Sequence, residues 1–181
     1  MVDRQLGDAL LARARNAIAG DLGAGLVKEP EHTALHLPGA TFVTLKRHGQ
    51  LRGCVGSVEA FRSLDEDVRQ NARAAAFRDR RFAPLRAGEL AATCIEVSLL
   101  SKAEAILFAT EDDAARQLRP RIDGVILESE RHRGTFLPQM WDQLPDPRRF
   151  MSELKRKAGL PEDFWSTDLR LYRYEVQKWS E

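Results

Sequence analysis

Cysteine is scarce in this chain: Cys54 and Cys94 are the two among 181 residues, far apart and in no CxxC or CxxxCxxC arrangement. A zinc site of cysteine type and an iron–sulfur cluster therefore cannot be built from this chain alone, and in a reducing cytosol two free thiols are expected rather than a disulfide framework. Long apolar runs are missing as well. No stretch approaches the roughly 18 residues of a membrane span. Residues 1–20 break their short apolar pairs with Asp3, Arg4, Asp8, Arg13 and Arg15, unlike the core of a signal peptide, so a cytoplasmic protein is expected. A net charge of +1 offers no bulk attraction to nucleic acid or to an anionic membrane, and any such binding needs a local patch. Gly23-Ala24-Gly25 is too short for a dinucleotide fingerprint, and no cofactor or metal site is expected.

What is present suits a folded protein: 43% hydrophobic and 30% charged residues, in a length that fits a single domain over 1–181 with a sizeable core. Leu6, Leu10, Ala14 and Ile18 predict an amphipathic helix over 3–19, closed by Gly20. Residues 21–39 read as a long connection. β-Branched and aromatic residues over 40–46, a turn at His48-Gly49 and the resumption at Leu51 predict a β-hairpin. Ser63, three residues before Glu66, caps a second helix over 64–77, which Pro84 prevents from extending. Strict alternation over 93–100 predicts a half-buried strand with Cys94 and Glu96 on one face. Thr110 caps a short helix, 124–128 reads as a strand, and 129–134 as a polar turn. Asp146, Pro147 and Gly159 bracket another helix, whose Lys155, Arg156 and Lys157 suit its C-terminal dipole. A single closing strand is expected around Arg170–Val176. Strands interleaved with helices, with a hairpin among them, predict an α+β fold: a mixed or mostly antiparallel sheet with helices packed on it.

The residues with most chemical promise are Leu51-Arg52-Gly53-Cys54-Val55-Gly56. Two glycines would permit a tight turn that presents the Cys54 thiol among free N–H groups, an arrangement suited to an anion or an oxyanion. Arg52 would lower the thiol pKa or clamp a carboxylate or phosphate, with His48 the nearest base in sequence. The plainer alternative gives Gly53 and Gly56 to a β-bulge or close packing and makes Cys54 a small buried hydrophobe. His32 and His36 lack the helix that an i, i+4 metal pair needs and read as a solvated loop. Arg78, Asp79, Arg80 and Arg81 read either as a phosphate cluster or as a surface ion-pair group. Arg131, His132 and Arg133 read as a charged hairpin turn, and Trp141, Trp165 and Trp179 as core or rim residues.

The chain resembles the AMMECR domain family, which includes the A components of AmmeMemoRadiSam systems. The resemblance rests on Phe42-Val43-Thr44-Leu45, the hexapeptide just described, Ala74-Ala75 through Asp79, Arg81 and Phe82, Glu96-Val97-Ser98-Leu99-Leu100, Asp123-Gly124-Val125, Phe136-Leu137-Pro138-Gln139 and Lys157-Ala158-Gly159-Leu160, and so covers nearly the whole chain. Val55 stands where isoleucine is usual, Arg80 and Ala83 where prolines are common, and Lys155 where many relatives carry a cysteine, which leaves Cys54 without that partner thiol. The resemblance implies an α+β fold in two parts, a larger body and a smaller subdomain, with the hexapeptide close to a cleft between them. It also implies a pathway shared with a Memo-type protein and a radical SAM protein, without supplying a reaction.

Three readings follow. The first is a binding or enzyme-accessory module in which Arg52, Gly53, Cys54, Gly56, Asp79, Arg81 and Glu96 hold a small anionic molecule or a partner segment. The second is a cysteine-dependent enzyme with Cys54 as nucleophile, which requires a base such as His48 or Glu96 at the sulfur. The third is RNA binding through the basic residues of 69–86, which Asp79 and the near-neutral total charge argue against.

Overall fold

The computed structural model describes residues 3–181. Met1 and Val2, the start of the stretch read above against a signal peptide, lie outside the described residues. The fold is α+β, with two four-stranded antiparallel sheets. The chain forms two compact units: one runs to Leu100 and includes Gln177–Glu181, and the other is Ser101–Val176. Among the described residues no helix is long and apolar enough to cross a membrane.

In the first unit, Asp3 accepts the Leu6 N–H (3.1 Å) and starts α1 (Arg4–Asp21), whose Leu6, Leu10, Ala14 and Ile18 are buried along one stripe. Strands β1 (Ala40–Arg47) and β2 (Gln50–Gly56) are joined at His48 and Gly49, with φ of 51° and 76°. Positive φ at both central residues gives the turn a twist that matches the flanking strands. Ser63 caps α2 (Leu64–Phe77) by accepting the Glu66 N–H (3.3 Å). A one-turn helix, α3 (Ala87–Leu90), then leads into β3 (Thr93–Leu100). The sheet order is β2-β1-β3-β8, with β8 (Val176–Ser180) at one edge. Val43, Leu45, Ile95 and Val97 lie on the helix-covered face and are completely buried with Leu10, Ile18, Val68 and Ala72. Each of the Val, Leu and Ile side chains among them contributes about 1.5–3 kcal/mol on removal from water.

The second unit holds β4 (Glu104–Ile106), α4 (Glu111–Gln117), β5 (Gly124–Ser129), β6 (His132–Phe136), α5 (Pro147–Lys157) and β7 (Arg170–Tyr174), with sheet order β4-β7-β5-β6. Its core centres on Trp141, which stacks on Phe150 at 3.8 Å and donates its indole N–H to the Asp123 carbonyl (2.7 Å). Asp146 caps α5 through the Arg149 N–H (2.8 Å), and Gly159 at φ 83° ends it.

Three expectations need correction. The single closing strand is two strands, β7 and β8, which break at Glu175 and join different sheets; alternation is the same on either side of such a break and cannot reveal it. The 129–134 turn is narrower, because His132 and Arg133 already pair in β6 with Ser129 and Glu128. Lys155 lies in the last turn of α5, as expected. It is completely buried, where its ammonium donates to Glu111 (2.5 Å) and to the Glu162 carbonyl (3.0 Å). The 21–39 connection contains a short 3-10 turn over Thr33–His36, capped by His32 Nδ1 accepting the Ala34 N–H (3.2 Å).

Candidate functional site

The hexapeptide lies on β2, the edge strand of the first sheet. It is an extended arm rather than the tight turn its glycines suggested, and the turn is at His48-Gly49. Leu45 pairs with Gly53 and Lys46 with Leu51, so Arg52 is the extra residue of a β-bulge. The glycines answer to packing. A Cβ at Gly53 would strike the backbone carbonyl of Ala75 in α2, and one at Gly56 would strike the Phe42 ring. Since Gly53 faces α2, Cys54 projects to the opposite face of the sheet, half-buried.

Three sets of contacts fix this edge. At its start, Arg52 makes a fork to Glu89, Nε to Oε1 at 3.2 Å and Nη2 to Oε2 at 3.1 Å, while Nη1 donates to the Ala83 carbonyl (2.9 Å). Arg47 shares the same carboxylate at 2.9 Å. Donation from Arg52, and then from the Arg86 N–H, holds the Glu89 carboxyl down at about 2. At its centre, the Cys54 N–H donates to Asp79 Oδ2 (2.9 Å) and the Cys54 carbonyl accepts from Arg81 (3.3 Å), with Arg81 and Asp79 paired at 2.7 Å. Donation by Arg81 and then by the Cys54 N–H keeps the Asp79 carboxyl well below the usual carboxylate range. Asp79 and Arg81 thus satisfy the outward backbone groups that an edge strand otherwise leaves open.

At the far end, Ser57 donates to Asp67 Oδ1 (2.7 Å), a carboxylate with no solvent exposure. The same group accepts from the Thr41 N–H and hydroxyl (both 2.7 Å), Arg62 (2.9 Å) and Asn71 (2.9 Å). A buried carboxylate is tolerated only with partners of this number and quality. Asp67 and Glu89 were not among the residues anticipated from sequence. Asp67 sits at an ordinary helical position in the first turn of α2, and Glu89 belongs to a helix too short to carry a periodic signal.

Sγ of Cys54 lies 3.3 Å from Thr44 Oγ1, in hydrogen-bond contact. Thr44 pairs with Cys54 on one side and with Glu96 on the other, so the three side chains form a row across the sheet. Glu96 lies between Lys46 (3.2 Å) and Lys178 (2.7 Å). Burial pushes its carboxyl up, but donation by Lys178 and Lys46 outweighs this and leaves it lowered. His48 is exposed in the hairpin turn. Among the described residues neither His48 nor Glu96 hydrogen-bonds the sulfur, so neither of these two is in place as the base that a nucleophilic cysteine requires. Cys94 bonds the Glu181 carbonyl at 3.5 Å.

Beside the bulge a cavity of about 340 Å³ is lined by Arg47, His48, Gln50, Leu51 and Arg52. Leu51 is 43% exposed there. The two arginines share the single Glu89 carboxylate, which leaves this corner with an excess positive charge. Among the described residues, no group of three or more His, Cys, Asp or Glu side chains is placed to hold a metal.

Comparison with known proteins agrees with this architecture. The AMMECR1 family profile matches residues 11–179. A protein of Methanothermobacter thermautotrophicus is 36% identical over 138 residues, covering 75% of this chain and 72% of its own. A protein of Thermofilum pendens is 34% identical, covering 93% and 87%. The crystal structure of an uncharacterized protein from Pyrococcus horikoshii superposes with a TM-score of 0.84 at 31% identity, covering 99% of this chain and 93% of that one. The chain belongs to the AMMECR1 family.

Proposed function

We propose that this protein is a binding or enzyme-accessory module that acts with a Memo-type protein and a radical SAM protein, through the surface around residues 51–56. The observation that carries this reading is the cavity beside Arg52, open at an edge strand whose position is fixed by ion pairs and hydrogen bonds along its length. A rigid concavity with an exposed leucine and excess positive charge is suited to holding an anionic group without reorganisation, whether on a small molecule or on a partner segment. The contacts of Cys54 favour this over catalysis. Its sulfur rests on a threonine hydroxyl, and the Asp79–Arg81 pair at its backbone is closed on itself.

The test is isothermal titration of the full chain against the purified Memo-type and radical SAM proteins of the same organism. Leu51→Glu places a like-charged repellent at the cavity for an acidic partner, and a reduction in affinity of about tenfold is expected for a contact of this kind. Absence of binding to both proteins, or affinity unchanged by Leu51→Glu, would contradict the proposal.

A further inference from the structure

The second unit carries a cavity that the proposed function does not use. Strands β4 and β7 pair from Glu104↔Arg173 to Ile106↔Leu171 and then separate. Between the diverging segments, 107–109 on one side and 165–169 on the other, lies a space of about 460 Å³. Its walls include Ile106, Leu107, Phe108, Trp165 and Leu171, with Arg170 among the lining residues. A volume of this size falls in the range that holds one small organic molecule.

The aromatic wall is supported by ring and cation contacts. Trp165 is tilted against Phe108 at 5.5 Å between ring centroids, and the buried Lys155 ammonium lies 5.9 Å from the indole ring. Even so, Trp165 remains 38% exposed and Leu107 85% exposed, an apolar surface that water solvates poorly. Arg170 supplies the charge. Its cross-strand neighbour Glu128 is taken by Arg133 at 3.1 Å, and among the described residues the Arg170 guanidinium has no ion-pair or hydrogen-bond partner. A fixed indole, an aliphatic floor and an unpaired planar cation are complementary to a flat apolar body bearing one carboxylate: the ring packs against Trp165 and Phe108, and the carboxylate meets the guanidinium fork.

We infer that the cavity between residues 107–109 and 165–169 is a binding site for a small aromatic carboxylate, with Trp165 as the stacking surface and Arg170 as the anion contact. The site lies wholly within the second unit and does not rest on the reading given to residues 51–56.

Naphthoate and its neutral isostere naphthamide are the probes, titrated into the full-length protein and followed by amide and indole NMR shifts. Saturable binding of naphthoate is expected, with the largest shifts at Leu107, Leu171 and the Trp165 indole. Arg170→Gln, a substitution of an exposed side chain, is expected to weaken naphthoate about tenfold while leaving naphthamide unchanged, the loss of one charge-assisted contact. Ala105→Phe, at an exposed position of β4 that lines the cavity, is expected to block both probes. Equal affinity for acid and amide in the wild type, shifts centred elsewhere, or no saturation by about 5 mM, weaker than any specific small-ligand site of this kind, would overturn the inference.

Discussion

At the scale of single residues, the chemistry of the hexapeptide is decided by which charges are already neutralised. Arg52 has the features of an anion clamp, but its fork is closed on Glu89 and the Ala83 carbonyl. Glu89 makes this testable by pH. Its carboxyl is held at about 2, against an ordinary 4.5, by Arg52 and then by the Arg86 N–H. A folded-state pKa below the unfolded one means that the unfolded chain binds the extra proton first, so stability falls as acid is added. The contribution is complete above about 4.5 and is lost as pH falls toward about 2. Glu89→Gln is expected to cost about 2 kcal/mol in urea unfolding at neutral pH and to flatten the acid limb across that window. An acid limb as steep as that of the wild type would show that Arg52 is not held by this carboxylate.

At the scale of elements, the hairpin was legible where backbone chemistry wrote it into the sequence, and the site was not. His48-Gly49 predicts the turn because few residues accept positive φ twice running, and the Ser63 and Asp146 caps mark helices that begin where expected. Strand β4, of three residues, and helix α3, of four, are too short to show a period and were invisible. The two glycines of the hexapeptide do mark a constrained segment, but conformational freedom is not what they supply. Each makes room for a neighbour, and the neighbours differ in kind. Gly53→Ala sets a methyl against the Ala75 carbonyl, part of a helix backbone, and should lower stability by about 1–3 kcal/mol with no rescue from any side-chain change. Gly56→Ala sets one against the Phe42 ring, and Phe42→Ala should restore much of the loss. Equal behaviour of the two variants in thermal unfolding would contradict the packing described.

At the scale of the whole molecule, the chain leaves the first sheet at Leu100, builds the second unit, and returns at its end to supply β8. The alternating closing segment gave no sign of this, because membership of a sheet is a long-range property and its period is local. The returning strand is structural: Lys178 pairs with Glu96, and the Trp179 ring occupies the space above Gly7. A chain ending at Glu175 should therefore lose hydrogen-exchange protection in β3, while the β5 amides, paired on both sides by β6 and β7, keep theirs. Unchanged protection of β3 would mean that β8 contributes little to the first sheet. The near-neutral charge has a counterpart at this scale too. Arg69, Arg73 and Arg81, within the basic stretch considered for RNA, are paired with Glu29, Asp21 and Asp79, which reduces the free charge available to phosphates.

The hexapeptide is proposed to be braced for binding rather than activated for catalysis. The most direct test is the rate at which iodoacetamide alkylates Cys54 in the native protein across pH, read by peptide mass spectrometry against Cys94 in the same molecule. Both thiols are half-buried, and each is in hydrogen-bond contact with an oxygen, Thr44 Oγ1 for Cys54 and the Glu181 carbonyl for Cys94. Cys54 is expected to react no faster than Cys94 at any pH in the native range. Alkylation of Cys54 many times faster than Cys94 near neutral pH would contradict it and place an activated thiol at the centre of the site.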